Sequence, residues 1–387
     1  MRCRACSTAL RTAPAEARVK IALIVPGGVD RSGEYRVIPA LLALISRLAA
    51  VHDVHVYALR QEPRSGSWEL AGAHIHNIGA GHTRRRALQS LRAEHRRGPF
   101  DVIQSIWSDS CGLIAVIAAT LLRLPCAVHV AGGEPVALPD IAYGGRLTWR
   151  GRLRETIVMR GADIVTAAST PMIEALARLR SVRRLALGVD LDVWRPVPPV
   201  RRAPGSMPRL VHVASLNRVK DQPTLLRALA LLARENVAFE ADIVGEDTLD
   251  GEMQRLAREL GLEMRVRFHG FLTQAALQPL LKTAQLMIIS SRHEAGPLAV
   301  LEAATLGVPT VGTKVGHVAE WAPSAALAVP VADWRALAAG IRQLITDEEL
   351  RLKLAHEAHA RATREDAACT ARAFLNLYDE LTAAARN

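Results

Sequence analysis

Residues 286–312, L-M-I-I-S-S-R-H-E-A-G-P-L-A-V-L-E-A-A-T-L-G-V-P-T-V-G, restrict what this chain can become more than any other stretch. Leu286-Met287-Ile288-Ile289 is a short apolar run suited to a buried parallel strand. Gly296-Pro297 opens a helix with Pro at its first position, Gly307 ends it, and Pro309-Thr310-Val311 begins another strand. A strand, a polar turn and a helix in this order place backbone amides at the carboxyl edge of a sheet. An α/β domain holds phosphate-bearing ligands there. Two glutamates eight residues apart belong to the unit: Glu294 in the turn and Glu302 about two helical turns further on.

A carboxylate at a helix start, such as Glu294, complements the helix dipole without further purpose. Glu302 lies within an otherwise apolar helix, and a buried carboxylate needs partners that sugar hydroxyls would supply. The run E-A-G-P-L-A-V-L-E-A-A-T-L-G-V-P-T-V resembles the E-x7-E signature of family-4 retaining glycosyltransferases of the GT-B fold, the group 1 glycosyl transferases. The resemblance implies an α/β chain with two Rossmann-like domains facing each other across a cleft and a C-terminal helix crossing back to the first. It extends over nearly everything from Val19 onward and is stronger after Val211.

A chain of 387 residues suits two α/β domains better than one core. The expected division is a disordered extension over 1–17, an acceptor-side domain over 18–195, a Pro- and Arg-rich linker over 196–208, a nucleotide-sugar domain over 209–363 and the returning helix over 364–387. With half of its residues apolar, the chain can bury a sizeable core. No apolar run reaches the ~18 residues that span a bilayer, and Cys111 to Leu122 reads as a buried helix. The segment 1–17 lacks the apolar region of a signal peptide. Cys3-x2-Cys6 has no second pair to complete a zinc site, and a reducing, cytoplasmic setting is the default expectation.

The formal charge of +11 implies attraction to an anion. Of the 49 basic residues 44 are Arg, a skew that base composition alone can produce. Aromatic residues make up only 4%, which argues against a base-stacking platform, so nucleic acid is not an expected partner. The cluster Arg84-Arg85-Arg86 with Arg92, Arg96 and Arg97 reads as a solvated helix face. It is also where peripheral contact with an anionic membrane surface is to be sought.

Taken in order, Val19–Val25 is the first strand, followed by the Gly27-Gly28 turn and a helix from about 35 to 50. The resemblance places Gly27 and Gly28 against the donor diphosphate, with Arg36 a further phosphate or acceptor contact. His52, Asp53 and His55 open the second strand as boundary and surface residues, since nothing nearby in sequence completes a coordination shell. At Ala131-Gly132, family members carry His-Gly, and that His lines the cleft. His129 on the same strand face, or Glu134, is the candidate replacement, unless the role is dispensed with; His129 reads equally as a filler of the inner sheet face. Residues 161–169 form the strand that closes the first sheet, and Asp190-x-Asp192 is a linker turn.

In the second half, Ser215-Leu216-Asn217-Arg218-Val219-Lys220-Asp221 resembles G-R-L-x-x-x-K-G, in which Arg and Lys clamp the diphosphate. Lys220 matches, Ser215 replaces the Arg, and Arg218 is the nearest substitute. Phe271 is expected beside the nucleobase, and His317 stands where the family has a glycine. The donor site implied is Gly27, Gly28, Arg218, Lys220, Phe271, Glu294, Gly296, Pro297, Leu298 and Glu302. Glu294, Lys220 and His129 are the residues nearest the chemistry.

The function implied is transfer of a sugar from a UDP-, GDP- or ADP-sugar to a glycan, lipid-linked or small-molecule acceptor, with retention and with neither metal nor other cofactor. Two other readings stay open. One is a nucleotide-sugar epimerase or hydrolase on the same fold. The other is a weakly catalytic nucleotide-sugar-binding subunit, motivated by Ala131, Ser215 and His317.

Overall fold

The computed structural model describes residues 18–386. The expected extension 1–17, with Cys3 and Cys6, lies outside the described residues. Two sheets organise the rest, as the resemblance implies. The first contains β1 (Lys20–Val25), β2 (Asp53–Ala58), β3 (Gly66–Leu70), β4 (Ala73–Asn77), β5 (Val102–Ile106), β6 (Cys126–Val130), β7 (Ile164–Ala167) and β8 (Arg183–Arg184). Their order is β3-β4-β2-β1-β5-β6-β7-β8, and only β3 runs antiparallel to its neighbour. The second contains β9 (Arg209–Val213), β10 (Glu240–Val244), β11 (Val266–Gly270), β12 (Leu286–Ile289), β13 (Thr310–Thr313) and β14 (Ala326–Val329). It is parallel throughout, in the order β11-β10-β9-β12-β13-β14.

Strands such as β1 and β12 are apolar at nearly every position because helices cover both faces of their sheets. On one face of the first sheet, Ile24, Tyr57, Ile103 and Val128 pack with Ala87, Leu91 and Ile114 from the helices Thr83–Arg97 and Ser110–Leu122. On the other, Ile21 and Leu23 pack with Ile45 of the helix Pro39–Ala49 and with Phe374, Leu377, Tyr378 and Leu381 of the last helix, Ala367–Arg386. The chain's final helix thus completes the core of its first sheet. Asp190 accepts two hydrogen bonds from Arg47, at 2.8 and 3.0 Å, and one from the Asp192 amide, so it serves as a turn.

Several boundaries differ from the sequence expectation. The first helix begins at Pro39 rather than near 35, because Val29 and Val37 form a bridge and Arg36 sits at φ +53°. The strand within 161–169 is not the sheet edge, since β8 pairs beyond it. The β3–β4 hairpin was not anticipated, and its turn uses Ala71 and Gly72, both at positive φ. His55 is not a surface residue: it is buried on β2. The expected single helix from 364 onward begins instead at Ala367, after the separate helix Glu348–Arg364.

Candidate active site

Loops at the carboxyl ends of the two sheets meet across a cleft. Ser169 Oγ donates to the Ala295 carbonyl at 2.5 Å, Arg292 pairs with Asp140 at 2.8 Å, and His293 Nε2 lies 3.4 Å from the Gly132 carbonyl.

The loop after β9 delivers Lys220. Asn217 Oδ1 receives the Lys220 amide at 3.2 Å, while Asp221, at φ +49°, caps the helix Gln222–Arg234 through Thr224. Ser290 Oγ donates to the Lys220 carbonyl at 2.7 Å and the Arg292 amide to the Val219 carbonyl at 2.7 Å, stitching this loop to the turn after β12. The two loops thereby place Lys220 Nζ 2.6 Å from Glu294 Oε1, which also accepts from Ser291 Oγ at 2.6 Å. The Glu294 side chain is 10% exposed and that of Lys220 24%, so the pair is held at the cleft floor rather than in bulk water. The neighbouring loop approaches so closely at Gly316 that a Cβ there would lie 3.0 Å from Glu294 Cβ. Arg218 is exposed and forms no hydrogen bond or ion pair among the described residues.

Beyond Glu294 the helix runs over Leu298–Thr305. Pro297 is its N-cap, at φ −68° and ψ 113°, and not its first helical residue as expected; no side chain caps this end. Its leading amides therefore have no side-chain acceptor, and they follow Glu294, the partner of Lys220, by a few residues, an arrangement that favours an anion. Glu302 is 8% exposed. Burial pushes its carboxyl up to about 7, with Gln274 opposing by hydrogen bonding. It lines a cavity of about 450 Å3 with Leu298, Gln274 and Pro39. Phe271 is half exposed, its ring 6.3 Å from that of Tyr35 in the other half of the molecule.

The glycine loop is arranged differently from the expectation. The amides of Gly28 and Val29 both donate to Gln61 Oε1, at 2.7 and 3.0 Å, so Gly28 does not offer a free donor here. Arg36, instead of reaching into the cleft, donates to the Gln61 carbonyl. Gln61 organises this loop, and no local motif in the sequence marks it. Gly28 sits at φ +83°, and a Cβ would meet Ile38 Cδ1 at 2.6 Å. Gly28→Ala is therefore expected to cost about 1–3 kcal/mol through backbone strain and overpacking, measured as a lower thermal midpoint.

His129 needs correction. It is fully buried, its Nδ1 2.9 Å from Thr166 Oγ1 and its ring 5.8 Å from Phe374 of the last helix. Burial holds it down at about 4. It fills the sheet face away from the cleft and has no path to a substrate. Glu134, the other candidate, is also buried; burial pushes it up to about 7 while its Oε1 accepts the Ser108 amide at 2.9 Å. The residue overlooked is His293, inside the S-S-R-H-E run, which meets the Gly132 turn from the opposite half and packs 6.1 Å from Tyr143. Its signal was adjacency to Glu294. His317 is buried against Trp321, its Nε2 beside Gly296.

Known proteins share this architecture. The model of the glycosyl transferases group 1 family matches residues 198–361, and that of the glycosyl transferase 4-like domain matches 37–189. D-inositol 3-phosphate glycosyltransferase from Frankia alni is 30% identical over 319 residues, covering 74% of this chain and 76% of that protein. Several other relatives are matched over about half of their length. Sucrose-phosphate synthase from Thermosynechococcus elongatus superimposes with a TM-score of 0.79 at 20% identity, over 95% of this chain and all of that one. HepE from Anabaena, solved with UDP-glucose, gives 0.72 at 18% identity over 94% of this chain and 100% of its own. With its two facing, largely parallel sheets and its returning helix, the chain belongs to the group 1 glycosyltransferases of the GT-B fold.

Proposed function

We infer that the protein moves a sugar from a nucleotide-diphosphate-sugar to an acceptor hydroxyl, with retention of anomeric configuration and without a metal in the reaction. The observation that carries this reading is the Lys220–Glu294 pair, 2.6 Å apart beside an uncapped helix start. In the reaction the bond from the sugar to the diphosphate breaks, a bond to the acceptor oxygen forms, and the acceptor hydroxyl passes its proton to the departing phosphate oxygen. Negative charge gathers on the leaving diphosphate. Lys220 and the amides around Gly296 meet that charge with fixed donors in a partly enclosed site, and Arg218 of the same loop, exposed and unpaired among the described residues, adds a further cation. Glu294 then has its carboxylate for the donor sugar's hydroxyls, and Glu302 faces the ribose from the cavity two turns further on, with Phe271 and Leu298 toward the base. HepE, of the same fold, holds UDP-glucose, in keeping with a nucleotide-sugar donor here.

The acceptor surface belongs to the first half. A groove of about 1000 Å3 opens next to Pro26, between the helices Thr83–Arg97 and Ser110–Leu122. Leu88, Ile114 and Leu121 line it, with Arg84, Arg85 and Arg92 at its rim. An acceptor combining an anionic group with an apolar chain, such as a lipid-linked glycan at the inner face of a membrane, fits this pairing. No helix among the described residues is long and apolar enough to cross a membrane.

Incubation with nucleotide-sugar and lipid-linked or free-sugar acceptors in the presence of a chelator, with the product read by NMR, tests the reading. The expected product keeps the donor's anomeric configuration. An inverted linkage, or transfer that stops in chelator and returns with magnesium, contradicts it. Free sugar or an isomerised donor as the only product would favour the hydrolase or epimerase reading, and binding without turnover would favour the subunit reading that the Ala131, Ser215 and His317 departures raise.

A further inference from the structure

The amino edge of the first sheet carries a histidine cluster that sugar transfer does not use. Asp53 and His55 lie two apart on β2 and share one face, and the parallel pairing of β4 places His74 directly opposite His55. His55 Nε2 lies 3.3 Å, and His74 Nε2 3.9 Å, from Asp53 Oδ1. The three ligand atoms all fall within 4.8 Å of one another. Ligand atoms about 2.1 Å from a tetrahedral zinc ion stand about 3.4 Å apart. Of the three separations one already matches, a second needs a movement of about half an ångström, and the third, between the two histidines, lies within 4.8 Å and closes by at most about 1.4 Å. His74, with 53% of its side chain exposed, is free to make these movements.

The opposite ring nitrogens are held as well. His55 Nδ1 is 3.0 Å from His76 Nε2, and His74 Nδ1 pairs with the Glu69 carboxylate. Metal-bound histidines commonly have the far nitrogen engaged in this way, which sets the tautomer and leaves the near lone pair for the ion. The nearby cation does not compete for the position. Lys20 Nζ is paired with Glu94 at 2.8 Å, and Glu94 Oε1 itself stands 3.9 Å from His55 Nε2. An ion-pair cluster would require neither both Nε2 atoms turned toward one carboxylate oxygen nor both Nδ1 atoms backed.

We propose that Asp53, His55 and His74 bind one divalent transition metal of the zinc class, completed by water, which fastens the β3–β4 hairpin to β2. The site lies at the opposite end of the strands from the glycine loop, so its role is to hold structure. It stands independently of the transfer reaction. The same residues read as strand boundary in the sequence because the third ligand arrives from β4, nineteen positions after His55.

The test uses the full chain carrying Cys3→Ser and Cys6→Ser, so that those thiols supply no ligand, after chelator treatment and desalting. Zinc added in a calorimetric titration is expected to bind at one equivalent per chain and to raise the thermal midpoint. His74→Ala and Asp53→Asn should each weaken binding at least about tenfold, and Glu69→Gln by about 10- to 100-fold. Both Asp53 and His74 are partly exposed, so the metal-free variants should melt close to the parent. Cobalt in place of zinc should give the visible absorption of a low-symmetry site in the parent and not in His74→Ala. No zinc binding by the parent, or unchanged affinity in both His74→Ala and Asp53→Asn, overturns the proposal.

Discussion

Exchanging Lys220 for alanine is expected to reduce sugar transfer by about 10^2- to 10^3-fold in kcat, the usual loss when one fixed donor to a developing oxyanion is removed. The side chain is 24% exposed and contacts a single carboxylate, so little packing goes with it. Glu294 would keep the Ser291 hydroxyl but lose its cation, at a cost of about 1–3 kcal/mol in stability. The two effects separate experimentally, because the thermal midpoint reports the second and turnover under conditions where the chain is fully folded reports the first. Lys220→Arg should recover part of the rate. It restores the charge on a planar group that cannot occupy the 2.6 Å position beside Glu294 in the same way. A Lys220→Ala variant that turns over within about threefold of the parent would remove this residue from the diphosphate site.

Glu302→Gln should have two effects of opposite sign. Burial raises the folded carboxyl to about 7 from an unfolded value of 4.5. A carboxyl raised in this way stabilises the fold fully below pH ~4.5 and loses that contribution as pH climbs through about 7. The amide has nothing to ionise, so the unliganded variant should gain on the parent as pH rises from 5 to 8, by at most about 3 kcal/mol. Glu134, raised to about 7 for the same reason, leaves some slope behind in the variant. Nucleotide binding should move the other way. A carboxylate accepting from ribose hydroxyls makes charged hydrogen bonds worth about 1.5–3 kcal/mol, so affinity should fall about 10- to 100-fold. Thermal unfolding across pH and nucleotide titration of the same two proteins check both halves.

Much of the second sheet was legible because buried parallel strands are written as uninterrupted apolar runs. Leu286–Ile289 begins and ends where the sequence places it, and Gly307, at φ +76°, stops the following helix as expected. What escaped depends on contacts distant in sequence. The β3 and β4 segments, G-S-W-E-L and A-H-I-H-N, mix polar and apolar residues because only one face of the edge hairpin is covered. Gln61 is one polar residue after a strand, and its part in holding Gly28 exists only once β1 and β2 lie side by side. His129 looked like a cleft residue because strand periodicity gives a face but not its covering, and the covering is the last helix of the chain. Lys220 and Glu294, 74 positions apart, were separate motifs in the sequence; their contact is a product of β9 and β12 being neighbours.

Thermal unfolding of the full chain with saturating UDP-, GDP- and ADP-sugars tests the donor site most directly. A ligand bound only by the folded state, at a hundred times its Kd, adds about 2.7 kcal/mol, which corresponds to a rise of about 3 °C for a chain of this size. One nucleotide class is expected to produce that rise in the parent, with most of it absent in Lys220→Ala and Glu302→Gln. No rise with any of the three, or an equal rise in both variants, would contradict a donor site built on these residues.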